Sequence, residues 1–197
     1  MLFILAAILV GTLADERKKQ LACIGVLEIL SKYLEAGDPA TKSHSLRVAE
    51  LSVRIAQIMN LTTTEIKNIR VAALLHDIGK IEVGVSLINK SVKLTESEMA
   101  LIKTHAQKSA QLLKLTGTVL KQAIPIVEAH HKFFCDSRSE KDLPLGACIL
   151  AVTDAFDAIV SDRPYRAGRH LKQALAEIEQ GPAPSLTLKL FLPLSNC

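Results

Sequence analysis

Apolar residues recur every three to four positions through most of this 197-residue chain, the spacing that places them on one face of an α-helix. No stretch before residue 185 alternates between apolar and polar side chains as a strand would. The pattern therefore predicts an all-α fold, a multi-helix bundle. Helices are expected over about 15–36, 41–59, 63–79, 96–117, 145–160 and 169–180, with one more that ends at His130-His131.

Some segments are less regular. The apolar run 145–160 suits a buried helix or a strand, and its helical neighbours favour a helix. Pro125 is expected to bend the helix that contains it, because proline lacks the backbone N–H of a helix interior. The polar stretches 80–94 and 132–144 are expected to be loops.

Two helix starts carry capping boxes, in which a threonine and a glutamate three residues later satisfy each other's backbone N–H groups. Thr62 with Glu65 forms the first box, and Thr95 with Glu98 forms the second. Gly79 is expected to end the third helix in the left-handed conformation that glycine adopts easily.

The two ends of the chain differ from the rest. Residues 1–14 are apolar and uncharged and precede Arg17, Lys18 and Lys19. They suit either the end of a transmembrane helix or a buried N-terminal helix. From residue 185, leucine alternates with other residues as in a strand. We therefore divide the chain into an apolar segment (1–14), one domain (15–180) and an atypical tail (181–197).

Composition narrows the functional classes. The net charge of +4 is mild and its basic residues are scattered, which favours a solvated surface and gives no indication of a nucleic-acid polymer as partner. The four cysteines form no CxxC pair, which favours a reduced, cytoplasmic compartment.

The stretch AALLHDIGK, residues 72–80, is the first candidate for chemistry. His76 and Asp77 offer a neutral nitrogen and an anionic oxygen, a mixture that suits divalent transition metals. Lys80 follows as a cation that could meet a phosphate. Five of the six histidines lie near helix ends, and together with two aspartates they predict a multi-metal site. The residues are His44, His76, Asp77, His105, His130, His131 and Asp154.

Longer stretches give this pattern a family resemblance. HSLRVAELS at 44–52, AALLHDIGK at 72–80, LINKSVKLTESE at 87–98 and PLGACILAVTDAFDAIVSDRPYR at 144–166 resemble the HD-GYP family, within the HD superfamily of metal-dependent phosphohydrolases. The resemblance covers about residues 25–180 and implies an HD-domain helical bundle.

The resemblance also implies roles for individual residues. The seven residues above fall on the family's metal ligands, for two divalent ions with iron or manganese favoured. Asp77 is expected to bridge the ions and orient the attacking hydroxide. Lys80 is expected to hold a phosphate oxygen or protonate the leaving group, and Arg163 and Arg166 to contact the phosphates of a cyclic dinucleotide. Asp157 is expected either to orient a histidine ligand or to pair with Arg163.

The sequence departs from the family at several positions. Lys132 replaces a glutamate, and no glycine or tyrosine of the GYP triad occurs between Phe133 and Pro144. Ala40 occupies the place of a carboxylate that some members use for a third ion, which favours two ions. The substrate loop is therefore altered, while the expected ligands are all present.

Three functions follow as hypotheses. The first is a metal-dependent phosphodiesterase that hydrolyses cyclic di-GMP or a related cyclic dinucleotide. The second is a signalling module with a degenerate site that binds a nucleotide or a protein partner without chemistry, and the third is a phosphohydrolase for another phosphate ester. The cysteine pattern and the apolar residues 1–14 suggest a cytoplasmic domain, either free or attached to the inner face of the membrane. Its expected partners are a membrane anchor or upstream sensor domain, or a second copy in a homodimer.

Overall fold

The computed structural model describes residues 43–88, 90, 94–132, 143–162 and 167–179, with isolated residues between 18 and 29. All of the isolated ones are helical, in agreement with the predicted first helix. From residue 43 onward the described elements are α1 (His44–Ile58), α2 (Thr63–Leu75), a 3₁₀ helix (Ile78–Glu82), α3 (Val85–Ile88), α4 (Glu96–Lys103), α5 (His105–Lys114), α6 (Ile124–Ala129), α7 (Leu145–Val160) and α8 (Leu171–Glu179). No strand occurs among these residues, so the all-α prediction is confirmed.

Helix α7 lies at the centre of the bundle. Eight consecutive residues, Gly146–Thr153, are buried, because α1, α2, α6 and α8 all pack against this helix. Burial of a leucine or isoleucine side chain contributes about 1.5–3 kcal/mol, so this apolar run is a major source of stability. The prediction of a helix over 145–160 is confirmed.

Both capping boxes are present. Thr62 and Glu65 bond each other's backbone N–H groups at the start of α2, and Thr95 and Glu98 do the same at the start of α4. Lys90 also donates to the Glu98 carboxylate at 2.6 and 2.7 Å, which joins the preceding segment to α4. These helix starts were predictable because the box has a fixed spacing of three residues.

The helix expected over 96–117 is divided in two. Thr104 separates α4 from α5, and its hydroxyl donates to the carbonyl of Leu101 at 2.6 Å. None of the eight residues of α4 is buried, whereas α5 buries His105 and Ser109 among others. The break therefore lets α5 turn into the core while α4 stays at the surface.

Two further expectations were wrong in detail. Pro125 lies in the first turn of α6 and begins that helix, where its missing N–H costs nothing, so it does not bend a longer one. The loop expected over 80–94 contains the end of the 3₁₀ helix (Ile78–Glu82) and the short α3 (Val85–Ile88).

The apolar segment 1–14 and the tail 181–197 lie outside the described residues. Among the helices that the structure describes, none is both long and apolar enough to cross a membrane.

Candidate metal centre

The seven predicted ligands lie together in the bundle although they come from five regions of the chain. His44 begins α1, His105 begins α5, and Asp154 lies in α7. The other four occupy the turns after α2 and α6, and are His76, Asp77, His130 and His131. Helix ends allow several side chains to converge where a continuous helix would block the approach.

Two groups of three residues offer ligand atoms within 4.8 Å of one another. His44, His76 and Asp77 form the first group, and His105, His130 and His131 form the second. Asp154 adjoins the first group, because its Oδ1 lies 3.1 Å from Nε2 of His44 and 3.8 Å from Nε2 of His76.

Asp77 lies between the two groups. Its Oδ2 is 3.5 Å from Nε2 of His76, and its Oδ1 is 3.2 Å from Nε2 of His105. Each carboxylate oxygen thus faces a different histidine group. Lys80 reaches the same carboxylate, with its Nζ 2.5 Å from Oδ2.

Three of the histidine rings are oriented by hydrogen bonds at their Nδ1 nitrogens. Nδ1 of His76, His105 and His130 lies 2.7, 2.7 and 2.6 Å from the main-chain carbonyl three residues earlier. A carbonyl only accepts, so Nδ1 carries the proton and Nε2 keeps its lone pair for the centre of the site.

This donor set fits metal ions better than it fits an internal hydrogen-bond network. His76 and His130 are fully buried, and their Nε2 atoms have no hydrogen-bond partner. Nε2 of His105 and Nε2 of His131 lie only 3.1 Å apart. Buried lone pairs without a donor are costly, and a divalent cation satisfies several of them together.

The electrostatics of the second group favour neutral imidazoles. Burial lowers the pKa of His105, and it lowers the pKa of His130 well below the ordinary value with help from the neighbouring His131. Burial and His105 also lower the pKa of His131 to about 4. Neutral imidazole is the form that binds metals.

His44 behaves differently because carboxylates surround it. Burial alone would lower its pKa, but hydrogen bonds to Asp154 and Asp157 raise the pKa of His44 to about 10. An ion that binds the first group must therefore displace a proton from His44.

The two aspartate ligands remain ionised. Burial would raise the pKa of Asp77, but Lys80 and the surrounding histidines hold that pKa well below its usual range. The pKa of Asp154 is likewise lowered against the effect of burial, mainly through its hydrogen bond to His44. Both carboxylates therefore offer anionic oxygens at neutral pH.

Gly79 has a role other than the one predicted. It lies inside the 3₁₀ helix and is not among the described residues with positive φ, so the left-handed helix end was wrong. A Cβ at this position would overlap the carbonyl oxygen of His105 and the backbone nitrogen of Ser109. Gly79 is thus required for the close approach of the two ligand-bearing segments.

Ser109 ties these segments together. Its buried hydroxyl accepts from the Gly79 backbone N–H at 2.8 Å and donates to the His76 carbonyl at 2.6 Å. The sequence contains no local signal for this bridge, because Ser109 lies 30 residues beyond Gly79.

Arg47 was missed by the sequence reasoning, and Asp157 was only partly assigned. Asp157 Oδ2 lies 2.7 Å from Nδ1 of His44, the contact expected if Asp157 orients that candidate ligand, while the alternative partner Arg163 lies outside the described residues. Arg47 forms two hydrogen bonds with the same carboxylate, at 2.6 and 2.8 Å. The only sequence signal was that Arg47 follows His44 by three residues and shares its face of α1.

Several predicted or altered positions are not part of the described centre. Arg163, Arg166, Ala40 and the altered loop at 133–142 lie outside the described residues. Lys132 is described and is exposed, and His170 is exposed as expected.

Comparison with known proteins shows clear relatives. A family model described as HD domain matches residues 28–183. A cyclic di-GMP phosphodiesterase of Thermotoga maritima is 36% identical over 174 residues, which is 85% of this chain and 46% of that protein. A 3'3'-cGAMP-specific phosphodiesterase of Vibrio cholerae is 32% identical over 87% of this chain and 38% of its own length. The chain thus spans less than half of these relatives.

A solved structure shares the fold. The HD domain of the phosphodiesterase PgpH of L. monocytogenes, solved in complex with cyclic-di-AMP, superimposes with a TM-score of 0.56 at 21% identity. The match covers 85% of this chain and 84% of that one. This likeness supports the assignment of the helices to an HD-domain bundle.

Proposed function

Because the chain belongs to the HD-domain family, we propose that it is a metal-dependent phosphodiesterase that hydrolyses a cyclic dinucleotide. One observation carries this proposal. Two histidine groups face opposite oxygens of Asp77, and a lysine amine contacts the same carboxylate. Such an arrangement suits a phosphoryl group held between two cations and an amine.

Two divalent transition-metal ions would be held by the seven ligands, with iron or manganese as the first candidates. His44, His76 and Asp154 would bind one ion, His105, His130 and His131 the other, and Asp77 would bridge them. When bound, such ions activate water and stabilise charge on a phosphoryl group. The unpartnered Nε2 atoms of His76 and His130 support this assignment.

Asp77 and Lys80 are the proposed catalytic residues. The Asp77 carboxylate is ionised and partly exposed, so it can orient an attacking water by accepting its proton in a hydrogen bond. The Lys80 side chain is 26% exposed, and its amine can turn from Asp77 to a phosphate oxygen or donate a proton to the leaving oxygen. Both roles use groups already within hydrogen-bond distance of each other.

The substrate would approach from the side on which Asp77, Lys80 and Asp154 are partly exposed, since His76 and His130 form a buried floor. We propose cyclic di-GMP as the first substrate to test, because the relatives named above act on cyclic dinucleotides. Arg163 and Arg166 are proposed to bind its phosphates, as arginine forms paired hydrogen bonds with phosphate oxygens.

The test is hydrolysis of cyclic di-GMP by protein loaded with iron or manganese, followed by chromatography of the linear products. We expect turnover by the wild-type chain and loss of turnover in His76→Ala, which removes a buried ligand. His170→Ala is the matched control, because this histidine is exposed. Full metal occupancy without hydrolysis of cyclic di-GMP, 3'3'-cGAMP or another phosphate diester would contradict the proposal.

A second candidate is a module that binds a cyclic dinucleotide, or a protein partner, without cleavage. Lys132 and the altered sequence at 133–142 favour it, because the chain departs there from the family pattern on which the hydrolase proposal depends. Equilibrium binding measured beside hydrolysis separates the two: tight binding with intact substrate supports the module, and product formation excludes it.

We further propose that residues 15–180 form the active domain in the reduced cytoplasm. Residues 1–14 would attach this domain to the inner face of the membrane or connect it to an upstream sensor domain. Cell fractionation of the chain with and without residues 1–14 tests the attachment.

We also propose a homodimer as the assembly, which light scattering of the purified chain tests.

A further inference from the structure

His44 differs from the other histidine ligands in how its ring is held. His76, His105 and His130 each donate Nδ1–H to a carbonyl three residues earlier, which is supplied by their own local segment. His44, the first residue of α1, is held by a side chain from another helix. Its Nδ1 instead lies 2.7 Å from Oδ2 of Asp157, on α7.

The Asp157 carboxylate is held in turn by Arg47. Nε of Arg47 donates to Oδ1 at 2.6 Å and a terminal nitrogen donates to Oδ2 at 2.8 Å, the two-pronged geometry that fixes the plane of a carboxylate. Ser161 adds a contact to the same arginine at 3.1 Å. The orientation of Asp157 therefore depends on a residue outside the ligand set.

Two pairs of residues three apart produce this arrangement. His44 and Arg47 lie on one face of α1, while Asp154 and Asp157 lie on one face of α7. Asp154 meets Nε2 of His44 at 3.1 Å, and Asp157 meets its Nδ1 at 2.7 Å. The imidazole ring is thus held at both nitrogens by the same helix, and in the part of the chain that the structure describes only Asp157 has an arginine behind it.

We propose that Arg47 is a positioning residue, which acts through Asp157 to keep Nε2 of His44 directed at one of the two metal ions. This inference rests on the proposed function. A histidine whose second nitrogen bonds a fixed carboxylate is a better metal ligand, and removal of such an outer partner costs about 10–100-fold in metal affinity. We expect a selective effect, because Arg47 holds the carboxylate that bonds His44, whereas His105 and His130 are oriented by main-chain carbonyls of their own segments.

The test is titration of the metal-free chain with Zn²⁺ in competition with a coloured chelator, which needs no catalytic activity. We expect two bound ions in the wild type. In Arg47→Ala, one dissociation constant rises about 10–100-fold and the other is unchanged. Arg47→Lys is intermediate, because a lysine keeps the charge and loses the two-pronged geometry.

Arg54→Ala is the matched control, since Arg54 is an exposed arginine on the same helix. Asp157→Asn tests the same link if Arg47→Ala does not fold. A spectroscopic readout accompanies the titration. In the zinc-loaded chain, the His44 Nδ1–H proton signal should exchange slowly with water in the wild type and faster in Arg47→Ala.

The possible results distinguish a failure of the role assigned to Arg47 from a failure of the proposed function. Unchanged zinc affinities in Arg47→Ala, or an equal loss of affinity at both ions, would overturn the inference. Arg47 would then only join α1 to α7 through its bonds to Asp157. Two bound ions without hydrolysis contradict the proposed function alone, and the titration still decides the role of Arg47. A wild-type chain that binds no zinc contradicts both.

Discussion

Lys80 is the residue whose position most directly links the candidate metal ligands to the proposed substrate. Its amine contacts Asp77 and its side chain is partly exposed, so it can reach a phosphate without moving its backbone. We expect Lys80→Met to lower kcat about 10²–10⁴-fold, the range for loss of a proton donor, while both ions remain bound. Steady-state kinetics and metal analysis on the same preparation check this.

Lys121→Met serves as the control for Lys80→Met, because Lys121 is exposed and belongs to neither group of candidate ligands. A wild-type kcat in Lys80→Met would show that the amine only pairs with Asp77.

Gly79 allows a prediction about stability, also at the scale of a single residue. Gly79→Ala places a methyl group against a backbone oxygen that cannot move without displacing α5. Overpacking of this kind costs about 1–3 kcal/mol, so the free energy of unfolding should fall by that amount in urea titrations. Gly25→Ala makes the same change in a helix with nothing within 4 Å, and it should stabilise the chain by about 0.5–1 kcal/mol. Equal free energies of unfolding for Gly79→Ala and Gly25→Ala would contradict the close approach of Gly79 to α5.

At the scale of the helix, the second capping box predicts that the stability of the fold depends on pH. The pKa of Glu98 lies below its ordinary value of 4.5, chiefly because Lys90 donates to its carboxylate and the Thr95 N–H adds a second bond. A carboxylate with a lowered folded pKa stabilises the fold above its unfolded pKa and loses that effect as the pH falls through the folded pKa.

Glu98→Gln should therefore be less stable than the wild type at neutral pH, and the difference should shrink as the pH falls below 4.5. Urea unfolding at a series of pH values measures this. Glu96→Gln, in the same turn but outside the box, is the control. A stability difference that does not change with pH would show that the Glu98 charge contributes nothing.

The helices also show which features a sequence can predict. Capping boxes are local, so the helix starts at Thr62 and Thr95 were predicted correctly from residue type and spacing. The division at Thr104 was not predictable, because it depends on α5 packing into the core while α4 does not. The apolar residues keep their helical spacing across Thr104, so the sequence gives no sign of the break.

For the whole molecule, the sequence allowed the seven candidate ligands to be named from residue types and family resemblance, and the structure brings them together. The contacts that hold these side chains in place could not be predicted. Arg47 and Asp157 are 110 residues apart, and the Ser109 bridge joins segments with no shared pattern. Such contacts follow from the packing of α1 on α7 and of α5 on the 3₁₀ helix, which periodicity alone does not specify.

Metal binding should stabilise the entire bundle, because its ligands come from five regions of the chain and no unfolded segment offers more than two adjacent ones. Free ion at about a thousandfold its Kd contributes about 4 kcal/mol. For a chain of this length that is a rise of about 10 °C in Tm. Scanning calorimetry before and after chelation and reloading measures it, and an unchanged Tm would contradict a folded-state metal site.

The fully buried floor of the site has a kinetic consequence. His76 would hold one ion and His130 the other, and neither side chain is exposed, so water cannot reach the ions from this floor. Asp77 and Asp154 are partly exposed, so both ions would enter and leave through the face that a substrate uses. A bound phosphate diester should therefore slow the exchange of a radioactive metal isotope, and an exchange rate that the diester leaves unchanged would contradict this one-sided access.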